Sequence, residues 1–170
     1  MSLYCASFTT HNIPFTARWK NDELVSLAIG PCESAHDTYG APPHHCAIGP
    51  EDPLTAALLA WLDAWYRGDT PAALPLAFEG TAFQVDVWTA LQRVPRGRTI
   101  SYRDLAREAG HPKAVRAAAN ACGANPLIIL VPCHRVVRTD GSLGGFSAGL
   151  EYKERFLSIE GWSGAGVRTA

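Results

Sequence analysis

The most reactive group that the sequence offers is the thiol of Cys133, which is followed by His134 and Arg135. Only a thiolate is a competent nucleophile, and a neighbouring imidazole or guanidinium lowers the pKa of a cysteine from about 8.5 into the reactive range. The apolar run Leu127 to Val131 precedes the thiol and predicts a buried strand, which Pro132 ends. The segment therefore places a candidate nucleophile directly after a proline, whose backbone is rigid. An inert buried thiol at the end of a strand is the alternative.

Two short helices are predicted upstream of this thiol. Ser101 begins the first, which reaches Glu108, and Gly110 stops it. Pro112 then occupies the first position of a second helix, which runs to about Cys122. Two short helices joined by a tight turn form a helix-turn-helix. Arg116 stands among small side chains that let a partner approach the second helix closely, although a packed alanine-rich core helix has the same composition.

The rest of the chain predicts two lobes. Residues 1–80 read as an acidic α/β lobe with three strands and one helix, which are Leu3 to Thr9, Phe15 to Trp19, Leu24 to Ile29, and Asp52 to Gly68. Between them, residues 30–51 have no periodicity, and we expect this segment to be mobile or variable. Residues 81–170 form the second lobe, whose first helix begins with a capping box of Thr81 and Gln84.

Composition is that of an ordinary globular protein. The 170 residues are 47% hydrophobic and 18% charged, and a chain of this size buries one core or two small packed lobes without metals or disulfides. The longest apolar run is far too short to span a bilayer, and no export signal is visible at the first residues. Five cysteines without CxxC spacing do not suggest a disulfide framework. We expect a soluble cytoplasmic protein.

The small net charge of −1 conceals an asymmetry between the two lobes. Residues 1–80 hold three basic and nine acidic side chains, whereas residues 81–170 hold twelve basic and seven acidic ones, which gives formal charges of −6 and +5. Lysine and arginine supply the electrostatic part of nucleic-acid binding, so any polyanion is expected to meet the C-terminal lobe. Attraction between the lobes is the simpler reading of the same charges.

The string Pro132-Cys133-His134-Arg135-Val136-Val137, preceded by Asn125-Pro126, resembles the active-site signature of the O6-alkylguanine-DNA alkyltransferases, also called methylated-DNA–protein-cysteine methyltransferases. The resemblance covers about half of the chain with its spacings intact. It includes Gly80-Thr81-x-Phe83-Gln84, Trp88, Ser101-Tyr102, Pro112 to Ala117, Gly144, Ser147, Gly149-Leu150, Lys153 and Glu160.

The resemblance implies an α+β fold. An RNase-H-like α/β lobe is followed by a mainly helical lobe with a helix-turn-helix and a Pro-Cys-His-Arg active-site loop. It also implies DNA repair by direct reversal, in which a monomer irreversibly takes the alkyl group from O6-alkylguanine, and from O4-alkylthymine, in double-stranded DNA onto its own cysteine. Binding through the minor groove, a nucleoid-associated location and the absence of any cofactor follow from the same resemblance.

The family pattern assigns a role to each matching residue. Cys133 would accept the alkyl group, His134 would act as general base through a water molecule, and Glu160 would orient His134. Tyr102 would donate a hydrogen bond to the leaving guanine, and Arg116 would replace the everted nucleotide in the duplex. The remaining DNA contacts would be Ala114, Ala117, Ala121 and Arg135, and the substrate pocket would include Asn125 as a brace together with Val136, Phe146, Ser147 and Ala148.

Two positions depart from the commonest family pattern, and two alternatives stay open. Phe146 stands where tyrosine is frequent, and Ala148 stands where glycine is frequent, which bears on the substrate range more than on the chemistry. Some relatives carry zinc in the N-terminal lobe, and possible ligands here are Cys5, Cys32, His36, His44, His45 and Cys46, but their spacing fits no firm template, so we predict no metal. A DNA-binding regulator that uses Cys133 as an alkylation sensor is the second alternative.

Overall fold

The computed structural model of this protein describes residues 3–30, 49 and 51–162. It divides into two compact units, Met1–Phe78 and Glu79–Ala170, whereas the sequence placed the boundary after residue 80. Most of the predicted mobile loop, and the candidate zinc ligands Cys32, His36, His44, His45 and Cys46, lie outside the described residues. Within the described part, no helix is long and apolar enough to cross a membrane.

The first unit contains an antiparallel three-stranded meander of β1 (Leu3–Thr10), β2 (Ile13–Lys20) and β3 (Glu23–Ile29), in that order. Both connecting turns have two central residues at positive φ, which fits the right-handed twist of a tight hairpin. The predicted meander is confirmed. The buried side chains of β2 and β3 form much of the core of this unit, and they include Ile13, Phe15, Ala17, Trp19, Leu24 and Leu27.

Helix α1 (Pro53–Arg67) has the ends that the sequence predicts. The carboxylate of Asp52 accepts hydrogen bonds from the N–H groups of Leu54 and Thr55, and Gly68 ends the helix in the left-handed conformation with φ 82°. Leu58, Leu62 and Trp65 are buried on one face, in agreement with the helical spacing. The coarse α/β character of the unit is present, whereas its RNase-H-like topology stays a prediction.

The second unit is mainly helical, with α2 (Ala82–Gln92), α3 (Tyr102–Glu108), α4 (Val115–Gly123) and α5 (Leu150–Ile159). Both elements of the predicted capping box of Thr81 and Gln84 are present at the start of α2. Ser101 caps α3 by accepting from the N–H of Asp104. Two short strands, β4 (Ile100–Ser101) and β5 (Val136–Val137), pair in parallel.

The prediction that α4 begins at Pro112 is wrong. The N–H of Ala114 donates to the carbonyl of His111 at 2.9 Å, so that residues 111–114 form a turn and α4 begins at Val115. Pro112 occupies the second position of this turn, where its fixed φ is as favourable as at the first position of a helix. The helix-turn-helix is therefore built from α3, this turn and a shorter α4.

The predicted strand Leu127 to Val131 is also wrong. These residues are buried, but they form a tight reversal in which the N–H of Val131 donates to the carbonyl of Leu127 at 2.8 Å. Ile129 has φ 70°, a conformation that costs a β-branched residue about 1–3 kcal/mol. Burial of the apolar side chains offsets this strain. The prediction failed because a short apolar run indicates that the residues are buried but does not distinguish a strand from a buried turn.

Candidate active site

The candidate nucleophile lies in a single turn of 3₁₀ helix, Cys133–Arg135. Pro132 before it has φ −80° and ψ 65°, and the N–H of Cys133 donates to the carbonyl of Val131 at 2.8 Å. This is the geometry of an inverse γ-turn, which the fixed φ of proline favours. The proline therefore turns the chain at the residue before the thiol, and Cys133, although only 4% exposed, lines a cleft.

Asn125 ties the segment before the thiol to the thiol itself. Its Nδ2 donates to the carbonyl of Val131 at 2.7 Å and to Sγ of Cys133 at 3.0 Å. Its Oδ1 accepts from the N–H of Leu127 at 3.0 Å. One buried amide thus bridges both ends of the strained reversal and reaches the sulfur, which is the geometry that the predicted brace requires.

His134 and Arg135 both contact Glu160, the residue that follows α5. Nε2 of His134 lies 3.0 Å from Oε1 of Glu160, and Arg135 donates from Nη2 to Oε1 at 2.6 Å and from Nε to Oε2 at 2.8 Å. The side chains of His134 and Glu160 are fully buried. Burial by itself raises the pKa of Glu160, but the hydrogen bonds from His134 and Arg135 outweigh it and hold that pKa well below its usual range.

The ionised Glu160 determines the tautomer of His134. A carboxylate accepts hydrogen bonds only, so the proton of the neutral imidazole is assigned to Nε2, and Nδ1 is the basic nitrogen. Burial lowers the pKa of His134 below 6.5, with the hydrogen bond to Glu160 acting in the opposite direction. The imidazole is therefore neutral at neutral pH and is able to take up a proton.

The expectation that His134 and Arg135 lower the pKa of Cys133 is wrong for the resting protein. Burial raises the pKa of this thiol, although the hydrogen bond from Asn125 and the charge of Lys153 lower it. The imidazole is neutral, and the guanidinium of Arg135 is paired with Glu160, so neither acts as the predicted cationic neighbour. The sulfur is consequently a protonated thiol that needs a base when it reacts.

Lys153 is a buried cation that donates hydrogen bonds to three backbone carbonyls near the cleft. Its Nζ donates to the carbonyls of Val136 at 2.7 Å, Gly145 at 3.3 Å and Leu143. The side chain is fully buried, and carbonyl oxygens compensate for part of the lost hydration of the ammonium group. Lys153 thus joins β5, which follows the thiol, to the loop around Gly145, which lines the cleft.

The pairing of β4 with β5 brings Tyr102 to the same cleft, because Tyr102 is the first residue of α3 and follows β4 directly. Its hydroxyl lies 3.5 Å from the carbonyl of Gly145, a long contact. Burial raises the pKa of Tyr102 to about 12. Gly144 passes closely beside it at φ 69°, and a side-chain carbon there would lie 3.1 Å from the tyrosine hydroxyl. Both the positive φ and this close approach therefore favour glycine next to Tyr102.

The cleft itself has a volume of about 720 Å³ and lies entirely within the second unit. None of the described residues that line it is acidic. The lining residues are Tyr102, Arg116, Ala119, Asn120, Cys122, Gly123, Cys133, Arg138, Gly145, Phe146 and Ser147.

Several of the lining residues were not predicted from the sequence as site residues, among them Asn120, Cys122 and Arg138. Asn120 follows Arg116 by one helical turn, so this spacing alone was a signal that both share a face. Sγ of Cys122 lies 4.0 Å from the carbonyl of Cys133, and burial raises the pKa of Cys122. Nothing in the local sequence of Arg138 distinguishes it from other exposed arginines.

The residues predicted to contact DNA separate into two groups. Arg116 and Ala117 are exposed on α4, and Ala114 is half-buried before it. The prediction is wrong for Ala121, which is buried and whose carbonyl accepts from Nε1 of Trp88 at 2.9 Å. It is also wrong for Arg135.

Arg135 is 9% exposed, and all three of its guanidinium nitrogens donate inside the protein. Two of them bind Glu160, and Nη1 donates to the carbonyl of Val94. A buried guanidinium that is already bidentate with a carboxylate is not presented to a phosphate at the surface, so Arg135 serves to hold Glu160 in place.

The predicted pocket residues are also divided. Phe146 and Ser147 line the cleft, and the ring of Phe146 packs edge-on against Phe156 with centroids 6.2 Å apart. Ala148 and Asn125 lie outside the lining. Val136 is buried and does not line the cleft. Its N–H donates to the carbonyl of Cys133, and its own carbonyl accepts from Lys153.

Across residues 3–30, 49 and 51–162, no three histidine, cysteine or acidic side chains come together in a way that could hold a metal ion. Of the three described cysteines, Cys122 and Cys133 are free and buried, and Cys5 is buried in the first unit.

Comparison of the sequence with known proteins identifies the family of this chain. A sequence profile described as the DNA-binding domain of 6-O-methylguanine DNA methyltransferase matches residues 82–162. The methylated-DNA–protein-cysteine methyltransferase of Mycobacterium leprae is 42% identical over 112 residues, which are 65% of this chain and 68% of that relative. The chain belongs to the methylated-DNA–protein-cysteine methyltransferase family.

Other members of this methyltransferase family differ in how much of their length is shared. The bifunctional transcriptional activator and DNA repair enzyme Ada of Escherichia coli is 55% identical over 92 residues, or 54% of this chain. The matched segment covers only 26% of Ada and 26% of the Salmonella typhimurium regulatory protein ada. The crystal structure of Mycobacterium tuberculosis OGT in complex with DNA has a TM-score of 0.78 and 31% identity, with 92% of each chain covered.

Proposed function

We propose that this protein repairs double-stranded DNA by transferring the alkyl group of O6-alkylguanine to Sγ of Cys133. The observation that carries the proposal is a nearly buried thiol that lines a cleft with no acidic side chain among its described lining residues, and an amide donor lies 3.0 Å from its sulfur. Membership in the methyltransferase family supports the same reaction. O4-alkylthymine, whose alkyl oxygen is similarly placed, is the second proposed substrate.

The reaction is a displacement at an sp³ carbon. The bond from Sγ of Cys133 to the alkyl carbon forms while the bond from that carbon to O6 of guanine breaks. The thiol proton passes to His134 through a water molecule, and the departing guanine takes up one proton from solvent. His134 then returns its proton to solvent, so the products are an unmodified base and a thioether. Such a step requires alignment and proton transfer, and its chemistry calls for no cofactor.

His134 and Glu160 supply the base. Because the pKa of Cys133 is raised and that of His134 is lowered, neither group is charged before the substrate arrives. Proton transfer from sulfur to Nδ1 creates an imidazolium whose Nε2 proton already points at the ionised Glu160. The carboxylate therefore stabilises the charge that develops on His134 during the reaction.

Tyr102 serves the leaving group. Its pKa of about 12 keeps the hydroxyl protonated at neutral pH, so it is able to donate a hydrogen bond to the guanine as negative charge develops on the base. The long contact from this hydroxyl to the carbonyl of Gly145 is weak enough for the substrate to replace.

Access to the alkyl group requires base flipping, because the group is buried in the base stack. We assign Arg116 as the side chain that enters the duplex in place of the everted nucleotide, since it is exposed and lines the cleft. The exposed and small residues of α4 would lie in the minor groove. A monomer with an RNase-H-like first unit, acting on the nucleoid in the cytoplasm, completes the proposal.

The test is stoichiometric transfer from a duplex that contains one O6-methylguanine. Intact-protein mass should rise by a single methyl, about 14 Da, and peptide mapping should find it on Cys133. Cys133→Ser should abolish transfer and retain DNA binding, because a hydroxyl is a far weaker nucleophile at neutral pH. The other thiol in the cleft, Cys122, provides the decisive comparison, and methyl found there would overturn the proposal.

A second function, regulation of transcription by an alkylation sensor, is favoured by the names of the Escherichia coli and Salmonella relatives. Only about a quarter of each of those proteins is matched, so their regulatory activity is not carried over with the shared segment. Binding to one promoter sequence that appears only after Cys133 is alkylated would favour the sensor. Affinity that depends steeply on salt and little on sequence would favour repair.

A further inference from the structure

The cleft carries two arginines, and the proposed function uses only one of them. Arg116 belongs to α4, whereas Arg138 directly follows β5. Both are exposed, and the part of the chain that the structure describes contributes no acidic residue to the lining of the cleft. Two cations in an acid-free cleft favour an anionic ligand, and the anion that accompanies an everted nucleotide is its backbone phosphate.

Arg138 projects from a fixed turn. Its N–H donates to the carbonyl of Ser142 at 2.8 Å, and its carbonyl accepts from the N–H of Gly141 at 2.9 Å. Oδ1 of Asp140 accepts from both the N–H and the hydroxyl of Ser142, at 2.9 and 2.7 Å. The acidic neighbour of Arg138 is therefore engaged in the turn. Within the part of the chain that the structure describes, the guanidinium of Arg138 forms no ion pair.

Arg138 also lies at the same end of the cleft as Tyr102. A side-chain carbon built on Gly144 would be 3.1 Å from the hydroxyl of Tyr102 and 3.5 Å from Cγ of Arg138. The stem of Arg138 and the tyrosine hydroxyl thus approach one point. A guanine held by Tyr102 would bring its own sugar and phosphates within reach of the long arginine side chain.

We propose that Arg138 binds the phosphate that flanks the everted nucleotide and so holds the nucleotide in the cleft while Arg116 occupies the base stack. The ligand is a phosphodiester, which the planar guanidinium fits by two parallel hydrogen bonds. This inference rests on the proposed function, because it takes the everted alkylguanine as the occupant of the cleft. It names a residue whose contribution is to substrate positioning and not to the alkyl transfer itself.

The experiment compares Arg138→Gln with Arg98→Gln, a matched loss of one exposed arginine that does not line the cleft. Losing one charged hydrogen-bonded contact should slow transfer from the O6-methylguanine duplex about tenfold to a hundredfold. It should also reduce the salt slope of binding by about one contact. Transfer from free O6-methylguanine base, which has no phosphate, should be unchanged, and Arg138→Lys should recover part of the loss.

Neutral methylphosphonates placed singly on either side of the lesion locate the contact. One of them should weaken duplex binding by the protein that retains Arg138, and it should not change duplex binding by Arg138→Gln. This binding measurement uses the Cys133→Ser background, so it does not depend on the chemistry. Failure of the wild-type protein to acquire a methyl group would count against the proposed function alone.

Three outcomes would overturn the role of Arg138 itself. The first is equal loss by Arg138→Gln and Arg98→Gln on the duplex. The second is equal loss by Arg138→Gln on duplex and free base, which would mean that Arg138 supports the pocket. The third is a methylphosphonate penalty of the same size with and without the arginine.

Discussion

Substitutions of the buried pair of Glu160 and Arg135 separate the contribution of these residues to stability from their contribution to catalysis. The carboxylate accepts two hydrogen bonds from Arg135, at 2.8 and 2.6 Å, and one contact from His134 at 3.0 Å. Removing one member of a buried ion pair leaves the other charge without compensation, which costs about 3–5 kcal/mol. Glu160→Met and Arg135→Met should therefore each lower the free energy of unfolding by about that amount.

The double variant should behave differently from the sum of its parts. Replacing both charges by methionine removes the uncompensated charge, and such apolar replacements are often neutral or stabilising. The remaining cost is that of two buried groups that each lose a partner, the carbonyl of Val94 and the Nε2–H of His134, at about 1–3 kcal/mol each. The double variant should thus be more stable than either single variant, although His134 has lost the carboxylate that orients it.

Urea unfolding and single-turnover transfer measure the two effects. With m of about 1–3 kcal/mol/M, each single variant should shift the unfolding midpoint down by at least about 1 M, and the double variant should shift it by less. Alkyl transfer by the double variant should stay lower than wild type by up to the factor of about 10²–10⁴ that a general base contributes. Additive losses of stability in the double variant would refute the argument, since they would mean that the two side chains contribute independently.

Three further predictions concern the duplex, the cleft wall and pH. Arg116→Ala should slow transfer from duplex DNA by one to several orders of magnitude and leave transfer from the free base nearly unchanged, since only the duplex requires eversion; equal loss on both would exclude the wedge role. Gly144→Ala and Gly110→Ala should both lose about 1–2 kcal/mol of stability, because both glycines have positive φ, but only the former should slow transfer, because only its new methyl group meets Tyr102. The lowered pKa of His134 predicts that the transfer rate is maintained as pH falls through 6.5 and drops only at lower pH. Over the same range the free energy of unfolding should decrease, because the unfolded chain binds a proton that the folded histidine does not; a rate that halves at pH 6.5 would contradict the burial argument.

Local signals in the sequence identified most helix ends. Asp52, Thr81 and Ser101 each cap the helix that they were predicted to begin, because a cap is a hydrogen bond within three residues of its own position. Pro112 did not mark a helix start, because its local preference does not specify one structure. Its fixed φ suits a turn as well as a helix start, and only the hydrogen bond of the following residues distinguishes the two.

The sequence by itself determined the family resemblance, the candidate nucleophile and its immediate neighbours. These depend on residue types at fixed spacing. Only the tertiary structure decided what each charged or polar neighbour does. Arg116 and Arg135 are both arginines in a basic lobe, yet one is exposed on the cleft and the other is buried against Glu160, a residue 25 positions away along the chain. The charge state of Cys133 was likewise decided by burial, which outweighs the hydrogen bond from Asn125, because a pKa depends on the surroundings in space and not on the order of residues.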